Sequence, residues 1–343
     1  MLLATALVAC SADRAELQPI TTTTPTVPVP ATASAAPVRT TTTTTTVAAP
    51  VGFAHCRVTA QGCVVEDPSP ADVTAVELVL TPPPNLASLQ YGPRPEQLAD
   101  VYLPRGGPAP LAIVYLHAGG WMAGGRADVP TTILHELDAH RAVISVGYRL
   151  TTEGPWPAQI QDVDRAIRWV KLHAADWGLD SRRVVVAGGS AGGHLALFAA
   201  VAPGHLPAAD LPPELRAIDP KVAGVVSFAA PADIASLLDH EWGPALLERL
   251  IGCSRNCDAA TLADASPSSH VTAAAPPLYI AGGLHDTLVP PDVNVLALTA
   301  LWASMIGPQA VWVDVVDNQA HNIDVNGVNV TALDEFLANL VPG

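Results

Sequence analysis

A serine in the pattern Gly188-Gly189-Ser190-Ala191-Gly192 is the first residue of this sequence whose surroundings suit bond-making chemistry. The β-branched run Val184-Val185-Val186 leads into it, and an Ala- and Leu-rich stretch of helical character follows. A strand that turns sharply into a helix presents the Ser190 hydroxyl, and small residues must flank it because the turn is tight. G-x-S-x-G alone arises by chance in about one chain in ten of this length, so the strand before it and the helix after it give it weight. A serine is a poor nucleophile unless a base takes its proton and an acid orients that base. The carboxylate expected for that role is Asp286, in Leu284-His285-Asp286-Thr287-Leu288-Val289-Pro290, with Asp233 as its competitor. In the order Ser, Asp, His the base must follow the acid, and of the 11 histidines only His321 lies beyond Asp286. Attack on an acyl carbon also needs backbone N–H groups aimed at the developing oxyanion. Gly119 and Gly120, in Leu116-His117-Ala118-Gly119-Gly120-Trp121, are assigned to it together with the N–H of Ala191. His117 and His285 are read as residues that organise their loops.

These residues can meet only if the elements that carry them end at one edge. Strand-like apolar runs are expected at Leu98–Leu103, Leu111–Leu116, Ala142–Tyr148, Arg183–Ala187, Val222–Phe228, Pro277–Ala281 and Val311–Val316. Helical stretches alternate with them: near Thr131–His140, after Pro157, from Ala191, and over Val330–Leu340. After Pro157 the apolar residues Ile160, Val163, Ile167 and Val170 recur at helical spacing. Such alternation means an α/β fold with a mostly parallel sheet and helices on both faces. Sites in such sheets lie at the carboxyl ends of the strands, where Ser190, Asp286 and His321 are expected.

Taken together, these motifs resemble the α/β-hydrolase superfamily. The closer resemblance is to hormone-sensitive-lipase-like esterases and to the bacterial feruloyl- and acetylxylan-esterase-like branch. It rests on His117–Trp121, on Gly189-Ser190-Ala191-Gly192-Gly193-His194 and on the Asp286 loop, and covers about residues 90–343. Pro155–Val163 with Trp177-Gly178 resembles the helix before the serine turn in that group, and Ser266–Val271 its segment before the acid strand. Trp156 and His270 are expected to be scaffold. One departure is Ala118, where the family usually has the first glycine after the histidine. The resemblance implies a serine ester hydrolase that needs no metal or organic cofactor. Its substrate would be a small acyl, acetyl-carbohydrate or feruloyl ester. An arylformamidase with the same triad and a non-catalytic ligand-binding surface protein are the alternatives. The segment from Ile234 to His270, with Trp242, Leu246 and Leu247, is long enough to line a pocket.

The chain has 343 residues and a formal charge of −15, with 49% hydrophobic and 14% charged residues. That balance argues against nucleic acid or an anionic membrane surface as the main partner, since both need clustered Lys and Arg. Residues 11–53 are dominated by Thr, Pro, Ala and Val and read as a tether without a core, followed by one folded domain over 54–343. Residues 1–10 end in Leu7-Val8-Ala9-Cys10, which resembles a bacterial lipobox, so Cys10 is a candidate for lipidation and membrane attachment. The other four cysteines form two close pairs, Cys56 with Cys63 and Cys253 with Cys257. Close pairs suggest local disulfides in an exported protein, whereas a zinc site would need ligands at spacings not found here. The expected location is therefore outside the cell, as a surface lipoprotein or a secreted protein.

Overall fold

The computed structural model describes residues 53–59, 62–66, 82–107, 109–317, 319–321 and 328–341, the backbone alone for 53–66. Residues 1–52, with Cys10 and nearly all of the expected tether, lie outside the described residues, as do the side chains of Cys56 and Cys63. The strands are β1 Phe53–Thr59, β2 Gly62–Glu66, β3 Leu86–Gln90, β4 Leu98–Tyr102 and β5 Ala112–Leu116. They continue as β6 Ala142–Val146, β7 Val184–Gly189, β8 Gly224–Phe228, β9 Leu278–Gly283 and β10 Val311–Val316. The helices are α1 Thr131–Leu134, α2 Ala158–His173, α3 Ala191–Val201, α4 Pro213–Arg216, α5 Gly243–Ile251, α6 Ala259–Asp264, α7 Leu298–Ile306 and α8 Val330–Asn339.

All ten strands join one sheet in the order β2-β1-β10-β9-β8-β7-β5-β6-β4-β3. From β6 through β5, β7, β8 and β9 to β10 every pairing is parallel. The two edges are antiparallel, β3 and β4 on one side and the β1–β2 hairpin on the other. This is the mostly parallel α/β-hydrolase fold.

β5 to β9 are buried along their whole lengths, as strands covered on both faces must be. Successive side chains of β5 go to opposite faces. Ala112, Val114 and Leu116 join the core under α2, α3 and α7; Leu111, Ile113 and Tyr115 join the core under α1 and α8. In α2 the spaced residues Ile160, Val163, Ile167 and Val170 are all buried. The helix expected near Thr131–His140 is shorter: α1 stops at Leu134 and a tighter turn, His135–Leu137, follows. The chain then reverses through His140 at φ 56°, and the buried Glu136 pairs with Arg141 at the entry to β6. α8 docks through Leu333, Phe336 and Leu337, each worth roughly 1.5–3 kcal/mol of burial, and so fixes the chain beyond β10.

Candidate active site

Ser190 stands between β7 and α3 with φ 49° and ψ −117°, a backbone state that costs an L-residue about 1–3 kcal/mol. Its neighbours hold it there. The Ser190 N–H donates to the Phe228 carbonyl at 2.8 Å, and the His194 N–H donates to the Ser190 carbonyl at 2.9 Å. The turn also packs against the loop after β5. A Cβ on Gly192 would come within 2.0 Å of the Leu116 carbonyl oxygen, so only glycine allows this approach.

Asp286 follows β9 and His321 follows the adjacent parallel strand β10. Their loops are stitched together: the Leu284 N–H donates to the Val316 carbonyl at 3.0 Å, and the His285 N–H to the Gln319 carbonyl at 2.9 Å. The consequence is a continuous chain of polar contacts. Ser190 Oγ lies 2.8 Å from His321 Nε2, and His321 Nδ1 lies 2.7 Å from Asp286 Oδ2. Asp286 Oδ1 accepts from the N–H groups of Leu288 and Val289 at 2.9 and 2.8 Å, which fixes the carboxylate plane. Asp286 is buried, while the His321 side chain keeps 23% of its surface. With Nδ1–H donating to a carboxylate, Nε2 is left as acceptor for the serine proton. The competing Asp233 is engaged elsewhere, accepting from the Ala235 N–H at 2.9 Å at the start of a short helical turn.

Gly119 and Gly120 have φ of 121° and 59°, and a Cβ on Gly119 would meet the Ala123 carbonyl oxygen at 2.1 Å. The Gly119 carbonyl accepts from Met122 and Ala123, but the Gly119 and Gly120 N–H groups have no acceptor among the described residues. Ala191 is the first residue of α3, where an N–H has no partner within the helix. His117 lies behind the loop. Its ring stacks on Tyr148 at 4.2 Å, its Nδ1 meets the Ala118 carbonyl at 2.7 Å, and burial pushes its pKa down. The Tyr148 hydroxyl donates to the His117 carbonyl at 2.7 Å. Ala118 therefore interrupts the glycine run without removing the two glycines that turn toward Ser190.

Gly119, Gly120, Ser190 and His321 share a cavity of about 720 Å³. Most of its wall is apolar, including Trp121, Pro231, Leu237 and Val289. The segment after β8 contributes Trp242, Ala245, Leu246 and two charged groups, Glu241 and Arg249. Of the wall residues expected from the sequence, Trp242 and Leu246 line the cavity, whereas Leu247 is fully buried in the core behind it; Glu241 and Arg249 carry no mark in the sequence beyond the helical spacing of Arg249 from Trp242.

The remaining sequence candidates are scaffold. His194 is fully buried against Trp121, Trp156 and Phe198, its Nε2 lies 2.8 Å from the Ala265 carbonyl, and burial pushes its pKa down to about 4. His270 Nε2 meets the Asp264 carbonyl at 2.9 Å. The Sγ atoms of Cys253 and Cys257 are 2.16 Å apart. Among the described residues no cluster of three or more His, Cys, Asp or Glu side chains could hold a metal ion.

The BD-FAE family matches residues 99–301, more than half of the chain. The chain belongs to this family. BD-FAE proteins are α/β-hydrolase esterases, which accords with the fold. Among curated relatives, the probable carboxylic ester hydrolase LipM of Mycobacterium tuberculosis is 33% identical over 188 residues, covering 54% of this chain and 43% of LipM. Esterase LipQ of the same organism is 32% identical over 212 residues, covering 60% of this chain and 49% of LipQ. This BD-FAE chain thus spans about half the length of the curated relatives it matches. Among solved structures, a truncated carbohydrate esterase from gut microbiota superposes with a TM-score of 0.64 at 25% identity, covering 74% of this chain and 94% of that one. A thermophilic esterase of Thermogutta terrifontis, bound to propionate, superposes with a TM-score of 0.58 at 26% identity, covering 71% and 91%.

Proposed function

We propose that this protein is a serine carboxylic-ester hydrolase working through Ser190, His321 and Asp286. The observation that carries the reading is the unbroken contact chain from Ser190 Oγ through His321 to Asp286, opening onto an apolar cavity. His321 Nε2 takes the Ser190 proton as Oγ attacks the ester carbonyl. The imidazolium that results is stabilised by the Asp286 carboxylate, whose other oxygen is held by two backbone N–H groups. The oxyanion is held by the N–H groups of Gly119, Gly120 and Ala191. His321 then protonates the leaving alcohol, and water attacks the acyl-enzyme by the same route with His321 again as base. No step calls for a metal or organic cofactor. The similarity to a carbohydrate esterase supports acetylated or feruloylated carbohydrate, or a small acyl ester, as substrate.

The same proposal extends to the chain's surroundings. Residues 54–343 form the catalytic domain, 11–53 a tether, and Cys10 is the lipid attachment point of an exported protein. A Cys253–Cys257 disulfide, supported by their sulfur separation, suits an oxidising compartment. Fatty-acid labelling lost in Cys10→Ser tests the anchor.

The enzyme reading is tested with a fluorophosphonate probe and short p-nitrophenyl esters. Wild-type protein should label at one serine and hydrolyse the esters, and Ser190→Ala should abolish labelling and lower kcat by at least about a thousandfold. Equal labelling of both proteins would overturn the assignment.

A further inference from the structure

Four residues of the cavity wall come from one helical stripe. Trp242, Ala245, Leu246 and Arg249 stand at i, i+3, i+4 and i+7 along and just before α5, and all four face the cavity that holds Ser190. Leu247, on the far side of the helix, and Leu250, on its flank, are fully buried in the core. The stripe is therefore held in place from behind. Its register relative to the reaction centre is fixed by Leu246: a Cβ on Gly120 would lie 3.0 Å from Leu246 Cδ2, so Leu246 covers the oxyanion loop. At about 1.5 Å per residue, Trp242 lies roughly 6 Å to one side of that point along the helix and Arg249 roughly 4.5 Å to the other.

The two arms differ in chemistry. Trp242 is 64% exposed and adjoins Glu241, so that arm offers an aromatic face and a negative charge. The Arg249 arm offers a guanidinium with no ion-pair or hydrogen-bond partner among the described residues. Glu241 and Arg249 are eight residues apart and form no salt bridge. Arg249 is exposed at the rim of the cavity, so its guanidinium stays hydrated and a neutral apolar group placed beside it gains no polar contact. A carboxylate there would form charge-assisted, two-pronged hydrogen bonds. At the other arm the same carboxylate would meet Glu241.

We propose that Arg249 is an anion subsite of the esterase cavity, selecting esters that carry a carboxylate on the side of the scissile bond away from Trp242. The proposal rests on the ester-hydrolase reading, and the experiment keeps the two separable. kcat/KM is measured for p-nitrophenyl hydrogen adipate against p-nitrophenyl hexanoate, and for 4-carboxyphenyl hexanoate against phenyl hexanoate. Turnover of the neutral esters tests the hydrolase reading alone. The subsite predicts that one carboxylated ester is preferred over its neutral partner by at least tenfold, and the preferred series identifies the arm taken by the acyl group. Arg249→Met should collapse that ratio at least tenfold, Arg249→Lys should retain part of it, and raised salt should reduce it. In a Ser190→Ala background the binding of both pairs is read directly by calorimetry, which decides the subsite even without turnover. A wild-type ratio near one in both series, or a ratio unchanged in Arg249→Met, overturns the proposal.

Discussion

Replacing Gly283 by alanine should disable the enzyme without touching any reacting group. Gly283 ends β9, and a Cβ there would lie 2.2 Å from the Gln319 carbonyl oxygen and 2.7 Å from that of Ala320. Ordinary contact begins near 3.4 Å, so the segment must retreat by about 1.2 Å. That segment leads directly into His321, whose Nε2 is 2.8 Å from Ser190 Oγ. A shift of that size takes the pair beyond hydrogen-bonding range, and a misplacement of about 1 Å can cost a hundredfold in rate. The expected loss in kcat/KM is about 100-fold, or roughly 2.7 kcal/mol of barrier. The folding penalty from overpacking should be about 1–3 kcal/mol, so a melting curve distinguishes misplacement from unfolding. The assay is hydrolysis of a short p-nitrophenyl ester by wild type, Gly283→Ala, His321→Ala and the double variant. If Gly283 acts through His321, the double variant should be scarcely slower than His321→Ala. A folded Gly283→Ala within threefold of wild type, or full additivity in the double variant, refutes the reasoning.

Two further outcomes follow from the same geometry. Asp286→Asn can keep the two backbone N–H contacts through its oxygen, which turns an amide N–H toward His321 Nδ1 and favours the wrong tautomer. kcat should fall by about 10⁴, and a loss under tenfold argues against Asp286 as the orienting acid. His194 should make the fold acid-sensitive. Its folded pKa is pushed down to about 4, below the ordinary value of 6.5, so the unfolded chain binds more protons between those limits. Its contribution is therefore fully present above about pH 6.5 and is lost as pH falls toward 4, about 2 kcal/mol by pH 5. Urea unfolding at pH 7.5 and 5 should show this slope flattened by that amount in His194→Gln.

The contact chain was legible because each member carried a local or ordinal mark. Ser190 had its small flanks and preceding strand, and His321 was the one histidine beyond Asp286. The buried strands were legible because central strands leave uninterrupted apolar runs. What escaped depends on contacts between distant residues. Nothing around Gly283 announces that its neighbour is Gln319. Nothing in Phe53–Glu66 says which edge the β1–β2 hairpin will choose, since the pairing of β1 with β10 is settled across some 250 residues of chain. The stripe of α5 was half visible: Trp242 and Leu246 stood out, but Arg249 looked like any basic residue near a helix end.

The β1–β10 pairing also decides how the molecule can be held. Phe53 pairs with Val316, at the end of β10 from which the chain runs to His321, so the polypeptide enters the domain at the catalytic edge of the sheet. Leu340, just past α8, lies at the opposite ends of the strands: a Cβ on Gly224, the first residue of β8, would lie 2.9 Å from it. A handle joined directly to Phe53 would therefore sit at the cavity-bearing edge. A handle joined near Leu340 would sit away from that edge. Tension on the N-terminal side also loads the β1–β10 ladder in shear, one strand away from the carboxylate and at the base of the histidine loop. For attachment to a solid support, or for fusion to a bulky partner, the C-terminal side leaves the mouth of the cavity clear.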